Sequence, residues 1–229
     1  MKIGGLQRFS LIDYPGRICA TVFTQGCNFR CPYCHNSELV DPDRYSPLFP
    51  EAEVMDFLAQ RRGKLEAVTV TGGEPTLQEG LPDFLARVKD LGYLTKVDTN
   101  GSQPEIIAQL TAAGLVDYWA MDLKGPLSRY RQLVAVPVAL ERIGASIDLL
   151  LKRQADYEFR TTVAASQLSP GDLVATAAQI PGARLYVLQP FIPSKTLDPA
   201  FLSEPPCSSA ALRALEPALE GLVERLMFR

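Results

Sequence analysis

The chain has 229 residues, of which 47% are hydrophobic and 21% charged, enough for one substantial domain and within reach of a single α/β barrel. A formal charge of −3 gives no electrostatic ground for a nucleic-acid partner, which is usually met by a clustered basic face, so protein and small-molecule substrates are favoured. No run approaches eighteen apolar residues and Met1 to Leu11 lacks the apolar core of an export signal, so no membrane association and a cytoplasmic location are expected.

The elements follow in chain order. Phe9 to Gly16 is turn-rich, and Arg17 to Thr24 is a continuous apolar, β-branched run of the kind that forms a strand buried on both faces. Cys19 lies inside that run and reads as a core cysteine. At the end of the strand comes Gly26-Cys27-Asn28-Phe29-Arg30-Cys31-Pro32-Tyr33-Cys34-His35-Asn36, which holds three of the five cysteines and the only histidine. Residues 37–50 read as a loop, followed by a helix over 51–62 and a strand over 65–71 that ends in Gly72-Gly73-Glu74-Pro75. A helix over 81–91 stops at Gly92, a strand over 93–97 ends in Asp98-Thr99-Asn100-Gly101, and a helix over 104–113 stops at Gly114. The strand over 116–121 ends in Asp122-Leu123-Lys124-Gly125. Helix, strand and helix are then expected near 137–153, 157–163 and 171–179, and the sixth strand, 184–188, ends in Gln189-Pro190-Phe191. After a proline-rich linker at 203–206, Leu212, Leu215, Leu219, Leu222 and Val223 predict one amphipathic helix over about 207–228.

Six strands alternating with helices imply a parallel sheet with right-handed crossovers. The expected fold is α/β: a six-stranded open (β/α)6 partial TIM barrel forming a single domain over 1–229, with its core at about 17–192. A flatter, doubly wound sheet is the alternative. In either, ligands bind at the C-terminal ends of the strands, so the cysteine loop, Gly72-Gly73-Glu74, Asp98, Asp122 with Lys124, and Gln189 share one rim.

The cysteine stretch admits four chemistries. Cys31-Pro32-Tyr33-Cys34 has the form of a dithiol redox site, although that would leave Cys27 unused in a chain much longer than such domains. Cys31 to His35 spells a haem-attachment motif, a chemistry of exported proteins. Structural zinc wants four closed ligands, and His35 directly follows Cys34, so the two are poorly placed to share an ion. An iron-sulfur cluster normally takes four cysteines, so three imply either a distant fourth, for which Cys207 is the candidate, or one iron without a protein ligand.

The spacing C-x-x-x-C-x-aromatic-C, with Tyr33 at the aromatic position, resembles the cluster motif of the radical S-adenosylmethionine (radical SAM) superfamily. Gly72-Gly73-Glu74-Pro75 is similar to that family's segment for the methionine amino group. Asp13-Tyr14-Pro15-Gly16, which departs from the family's Asp-Gly-Pro-Gly at Tyr14, Phe23-Thr24-Gln25-Gly26-Cys27 and Tyr33-Cys34-His35-Asn36 look like the glycyl-radical-enzyme activases, as do the segments at Asp98 and Met121 to Lys124. The likeness is greatest to activating proteins of the anaerobic ribonucleoside-triphosphate reductase, is strong up to Gly125 and is weaker beyond.

The resemblance implies a 4Fe-4S cluster on Cys27, Cys31 and Cys34, which are both metal ligands and catalytic. It implies S-adenosylmethionine held through Tyr33, Gly72, Gly73, Glu74, Asp98, Asp122, Lys124 and Gln189, and a monovalent cation near Asp98 and Asp122. The implied partners are a glycyl radical enzyme, the anaerobic ribonucleotide reductase, and a flavodoxin- or ferredoxin-type electron donor. A radical SAM enzyme acting on a small molecule or nucleoside, and a non-catalytic iron-sulfur carrier, are the alternatives. His35 reads as packing or outer-shell support, Arg160 as either a contact to peptide or cofactor or a solvated arginine, and Cys207 as incidental.

Overall fold

The computed structural model describes residues 1–205 and 207–229, so Pro206 of the expected linker lies outside the described residues. Strands β1 (Ile3–Ser10) and β2 (Cys19–Thr24) form an antiparallel pair. The stretch 37–50, expected to be loop, contains a one-turn helix α1 (Ser37–Val40) and a 3-10 turn at Pro42–Arg44. Helix α2 (Glu51–Gln60) leads to β3 (Ala67–Gly72), α3 (Leu81–Asp90) to β4 (Leu94–Thr99), and α4 (Pro104–Ala112) to β5 (Tyr118–Asp122). A short helix α5 (Tyr130–Val134), not foreseen, precedes α6 (Leu140–Leu151) and β6 (Asp156–Val163), after which α7 (Pro170–Ala177) leads to β7 (Tyr186–Pro190).

The strands lie side by side in chain order, and every neighbouring pair from β2 to β8 is parallel. The two outer strands do not meet, so the expected open, partial barrel is the fold, with β2 to β7 as its six parallel strands. Two edge strands extend it. One is β1, hidden in a segment whose glycines and turn residues masked its strand character; the other is β8 (Leu226–Phe228), paired with Tyr186 to Leu188.

The single C-terminal helix expected over about 207–228 is corrected. It is two short helices, α8 (Ser209–Arg213) and α9 (Glu216–Leu219), and then β8. Pro217 cannot sit in a helix interior and takes the first turn of α9 instead, and Gly221 adopts φ +79°, which ends the helical path. The apolar spacing still serves packing, since Leu212 and Leu219 are fully buried.

Successive strand residues point to opposite faces. On the convex side Val22, Val70, Val97, Trp119, Met121, Phe159 and Leu188 belong to the main apolar core. The strand expected to be buried on both faces, β2, is so, but the burial on its concave side is partly polar. There the register sets Thr21, Thr69 and Lys96 side by side, and Asp122 beside Arg160, one level above Glu158. Thr21, Thr69, Lys96 and Glu158 are each no more than 2% exposed. A concave face so polar is stable because its charges are paired within it.

Candidate active site

The cysteine loop is fastened to its surroundings before it presents any thiol. Gly26 takes φ +107°, its N–H donates to Leu39 O at 2.7 Å, and its carbonyl accepts the Glu74 N–H at 2.8 Å. Arg30 folds back so that its guanidinium donates to Cys27 O at 2.7 Å and Phe29 O at 2.8 Å, while its own N–H reaches Val134 O at 2.9 Å in α5. Asn36 donates to Gly72 O at 2.9 Å and closes the loop onto the end of β3.

The cavity so formed is open to solvent and has a volume of about 180 Å³. All three loop thiols line it, with Tyr33, Gly72, Gly73, Glu74, Asp98, Asp122 and Lys124. Ten of the eleven candidate residues therefore meet; Gln189, at the end of β7, is not among the lining residues. Cys19 is buried at the lower end of the sheet beside Tyr14 and Ala67, and Cys207 is partly buried away from the cavity.

At the end of β3, Gly72 has φ +114°, and a Cβ on Gly73 would stand 2.1 Å from Gly26 O. The two loops approach closely only because no side chain intervenes. Glu74 is 1% exposed and accepts from Thr76 N at 3.1 Å, Thr99 Oγ1 at 2.8 Å and Asn100 N at 2.7 Å, as well as from the Thr76 hydroxyl. Burial pushes its carboxyl up, against those hydrogen bonds. With both oxygens engaged, Glu74 ties the β3 and β4 loops together. Asn100 continues the tie by donating to Asn28 Oδ1 at 2.9 Å, and Asn28 donates to Ser102 Oγ at 2.9 Å.

Asp98 and Asp122, on the next two strands, continue the wall. Arg160 spans them, with Nη2 3.2 Å from Asp98 Oδ2 and Nε donating to Asp122 Oδ1 at 2.9 Å. Lys96 pairs with the other oxygen of Asp98, and Lys124 Nζ is 3.3 Å from Asp122 Oδ2. Burial disfavours both carboxylates, yet Arg160 and Lys96 hold Asp98 below its ordinary value, and Arg160 and Lys124 hold Asp122 down at about 2. Arg160 is thus no solvated arginine: its side chain is 13% exposed.

The thiols carry the reverse perturbation. Burial pushes Cys27 to about 12, with the Glu74 carboxylate adding to the rise, pushes Cys31 to about 11 and raises Cys34. They hold their protons at neutral pH until a metal displaces them. Donors are already aimed at sulfur: Phe29 N lies 3.4 Å and Asn100 Nδ2 3.9 Å from Cys27 Sγ. Tyr33 packs edge-on against Phe191, ring centroids 6.0 Å apart, and its hydroxyl is buried without a partner in the cavity wall. His35 stacks on Phe191 at 5.0 Å and its Nε2 meets Ile192 O at 2.8 Å.

These observations fit an iron-sulfur cluster with a small polar cofactor beside it. Among the described residues no three His, Cys, Asp or Glu side chains are grouped for a single metal ion, yet three thiols face one cavity. The orphaned Tyr33 hydroxyl leaves an unused polar group in the wall beside them. Asn28, Asn36, Asn100, Thr71 and Thr162 escaped the list of candidate residues. Asn36 and Asn100 carried a signal, since both stand in the motifs themselves.

Comparison with known proteins agrees with this geometry. The family described as the radical SAM superfamily matches residues 21–165. A protein of Methanocaldococcus jannaschii provisionally named a glycyl-radical enzyme activating enzyme is 32% identical over 99% of this chain and 95% of its own length. A Thermococcus kodakarensis protein named as a probable GTP 3',8-cyclase is 29% identical over 90% of this chain and 67% of its own. The pyruvate formate-lyase-activating enzyme of Clostridium pasteurianum is 36% identical over 44% of this chain and 43% of its own. Among solved structures, Streptococcus suis SuiB bound to its precursor peptide superposes with a TM-score of 0.67 at 15% identity, over 90% of this chain and 47% of SuiB, which supports the fold alone.

Proposed function

This chain belongs to the radical SAM superfamily, and from that premise we propose that it is an activase that generates a glycyl radical on a partner enzyme, the anaerobic ribonucleoside-triphosphate reductase. The observation that carries the reading is the full-length likeness to a glycyl-radical enzyme activating enzyme, joined to a cavity with three thiols and no fourth cysteine in its lining.

Cys27, Cys31 and Cys34 would hold the cluster, which when bound and reduced would supply one electron for reductive cleavage of S-adenosylmethionine. What the protein contributes is placement. Gly72 and Gly73 bring bare backbone to the cavity wall, where an amino group can find carbonyl acceptors. Asp98, Asp122 and Lys124 offer a paired, oriented set of charges for the amino and carboxylate groups of the methionine end. Tyr33 holds an apolar face and a free hydroxyl beside them. The cavity opens to solvent, where a partner's peptide would be presented, and the proposed products are that partner lacking one hydrogen atom at a backbone glycine and 5'-deoxyadenosine, which carries that atom away. A flavodoxin- or ferredoxin-type protein would supply the electron.

A second reading, action on a nucleoside or other small molecule, is supported by the 29% identity to a protein named a GTP 3',8-cyclase. One set of assays separates them. Protein reconstituted anaerobically with iron and sulfide should form 5'-deoxyadenosine from S-adenosylmethionine and reductant, and Cys34→Ala should abolish it. Undiminished product in the variant would overturn the cluster assignment. With the candidate reductase added, electron paramagnetic resonance should detect a glycyl radical; its absence with a cognate reductase removes the activase claim and favours the small-molecule reading.

A further inference from the structure

The likeness to the activases carries an expectation of a monovalent cation between Asp98 and Asp122, and the residues present do not fit one. We infer that the Arg160 guanidinium is a built-in replacement for that ion, so that this enzyme binds S-adenosylmethionine without a monovalent cation.

Asp98 and Asp122 end neighbouring parallel strands, with Asp98 opposite Ala120 and hence one inward-facing position below Asp122. Two carboxylates so placed repel each other and need a positive charge between them. Arg160 stands directly opposite Asp122 on the next strand, on the same face. From there its fork reaches both acids, at 3.2 Å and 2.9 Å, while Nη1 lies 3.8 Å from Glu158 Oε1. The two remaining carboxylate oxygens meet Lys96 and Lys124. All four oxygens that could ligate an alkali ion thus face a protein cation.

The wall's own cations already offset its acids, so no alkali ion is needed for charge balance. Lys96, Lys124 and Arg160 already outnumber Asp98 and Asp122, and Glu158 is claimed on its other side by Arg229 at 2.9 Å. An arginine suits this place better than a lysine, because a planar fork can bridge two acids where a point charge would choose one. Being tethered, it is present at any salt composition. Arg160 does not line the cavity, so it acts by fixing the two acids that do and is a positioning residue.

The test reads cofactor binding and needs no partner protein, so it rests on family membership and is independent of the activase reading. S-adenosylmethionine binding to the reconstituted enzyme is measured by calorimetry in potassium, sodium and tetramethylammonium chloride at one ionic strength. The wild-type dissociation constant should stay within about twofold across the three salts, since loss of an outer-shell group typically costs about 10-fold or more. Tightening of about tenfold in sodium or potassium would overturn the inference, and this arm needs no variant to fold. Arg160→Gln should bind about tenfold more weakly in tetramethylammonium and recover in potassium or sodium. Its 23Na relaxation should then show a bound ion that potassium displaces and that the wild type lacks. A variant that binds like the wild type in every salt, or weakly in every salt, would also overturn it.

Discussion

Gly73 shows how a missing side chain can be the functional feature. Its absent Cβ is what lets the Gly26 carbonyl come within hydrogen-bonding distance of the Glu74 N–H, at 2.8 Å. In Gly73→Ala the clash is with backbone and cannot be relieved by turning a rotamer, so the two loops must part. The expected loss is about 2 kcal/mol in urea unfolding, of the size of core overpacking, with weakened S-adenosylmethionine binding. Unchanged stability and binding would show that the approach of the loops is incidental. At Asp122 the consequence is one of pH. Its folded value, about 2, lies below its ordinary 3.8, so its ion pairs stabilise the fold above about pH 4 and are lost as pH falls toward 2. Because about a third of the side chain is exposed, solvent screening limits that contribution to about 1 kcal/mol. Asp122→Asn should flatten the fall in stability between those pH values, as followed by circular dichroism. Asp98, also held below its ordinary value, should keep part of the slope.

The elements were legible where local signals and tertiary demands agreed. Helix α7 begins with a reciprocal capping box, in which Ser169 Oγ accepts the Asp172 N–H at 3.2 Å and Asp172 accepts the Ser169 N–H at 2.9 Å. Ser169→Ala should cost about 1 kcal/mol in thermal unfolding without altering cofactor binding, since α7 packs on the outside of the sheet. Strand ends fell within two residues of expectation because each run of β-branched residues stops at a turn signal such as Gly72-Gly73. The C-terminal helix failed for a reason present in the sequence: an apolar period continued across Pro217 and Gly221, and the backbone rule overrode the pattern. Strands β1 and β8 failed for the opposite reason. Neither has a strong signal of its own, and each is a strand because an adjacent strand offers hydrogen bonds.

At the scale of the whole molecule, the cavity sits where the parallel strands end, and the loops after β2, β3, β4 and β5 all contribute to its wall. The folded chain brings three thiols to one cavity, which the unfolded chain does not, so a cluster that displaces their protons binds the folded state preferentially. Loading the cluster should therefore raise the urea midpoint, and stripping it with a chelator should return the midpoint to that of the metal-free protein. Equal midpoints would mean that the thiols do not hold the metal in the folded state. The family, the three thiols, the glycine turn and the alternation of strand and helix are all legible along the chain, because spacing is a local property. The alternation also places Asp98, Asp122 and Lys124 on one rim, because parallel strands deliver their C-terminal ends to the same side. That Arg160 bridges the two aspartates, that Glu74 ties two loops together, and that Gln189 stands outside the cavity lining emerges only from the folded chain. Those facts depend on strand register and on which side chains reach one another across the sheet, and register comes from hydrogen bonds between segments far apart in the chain.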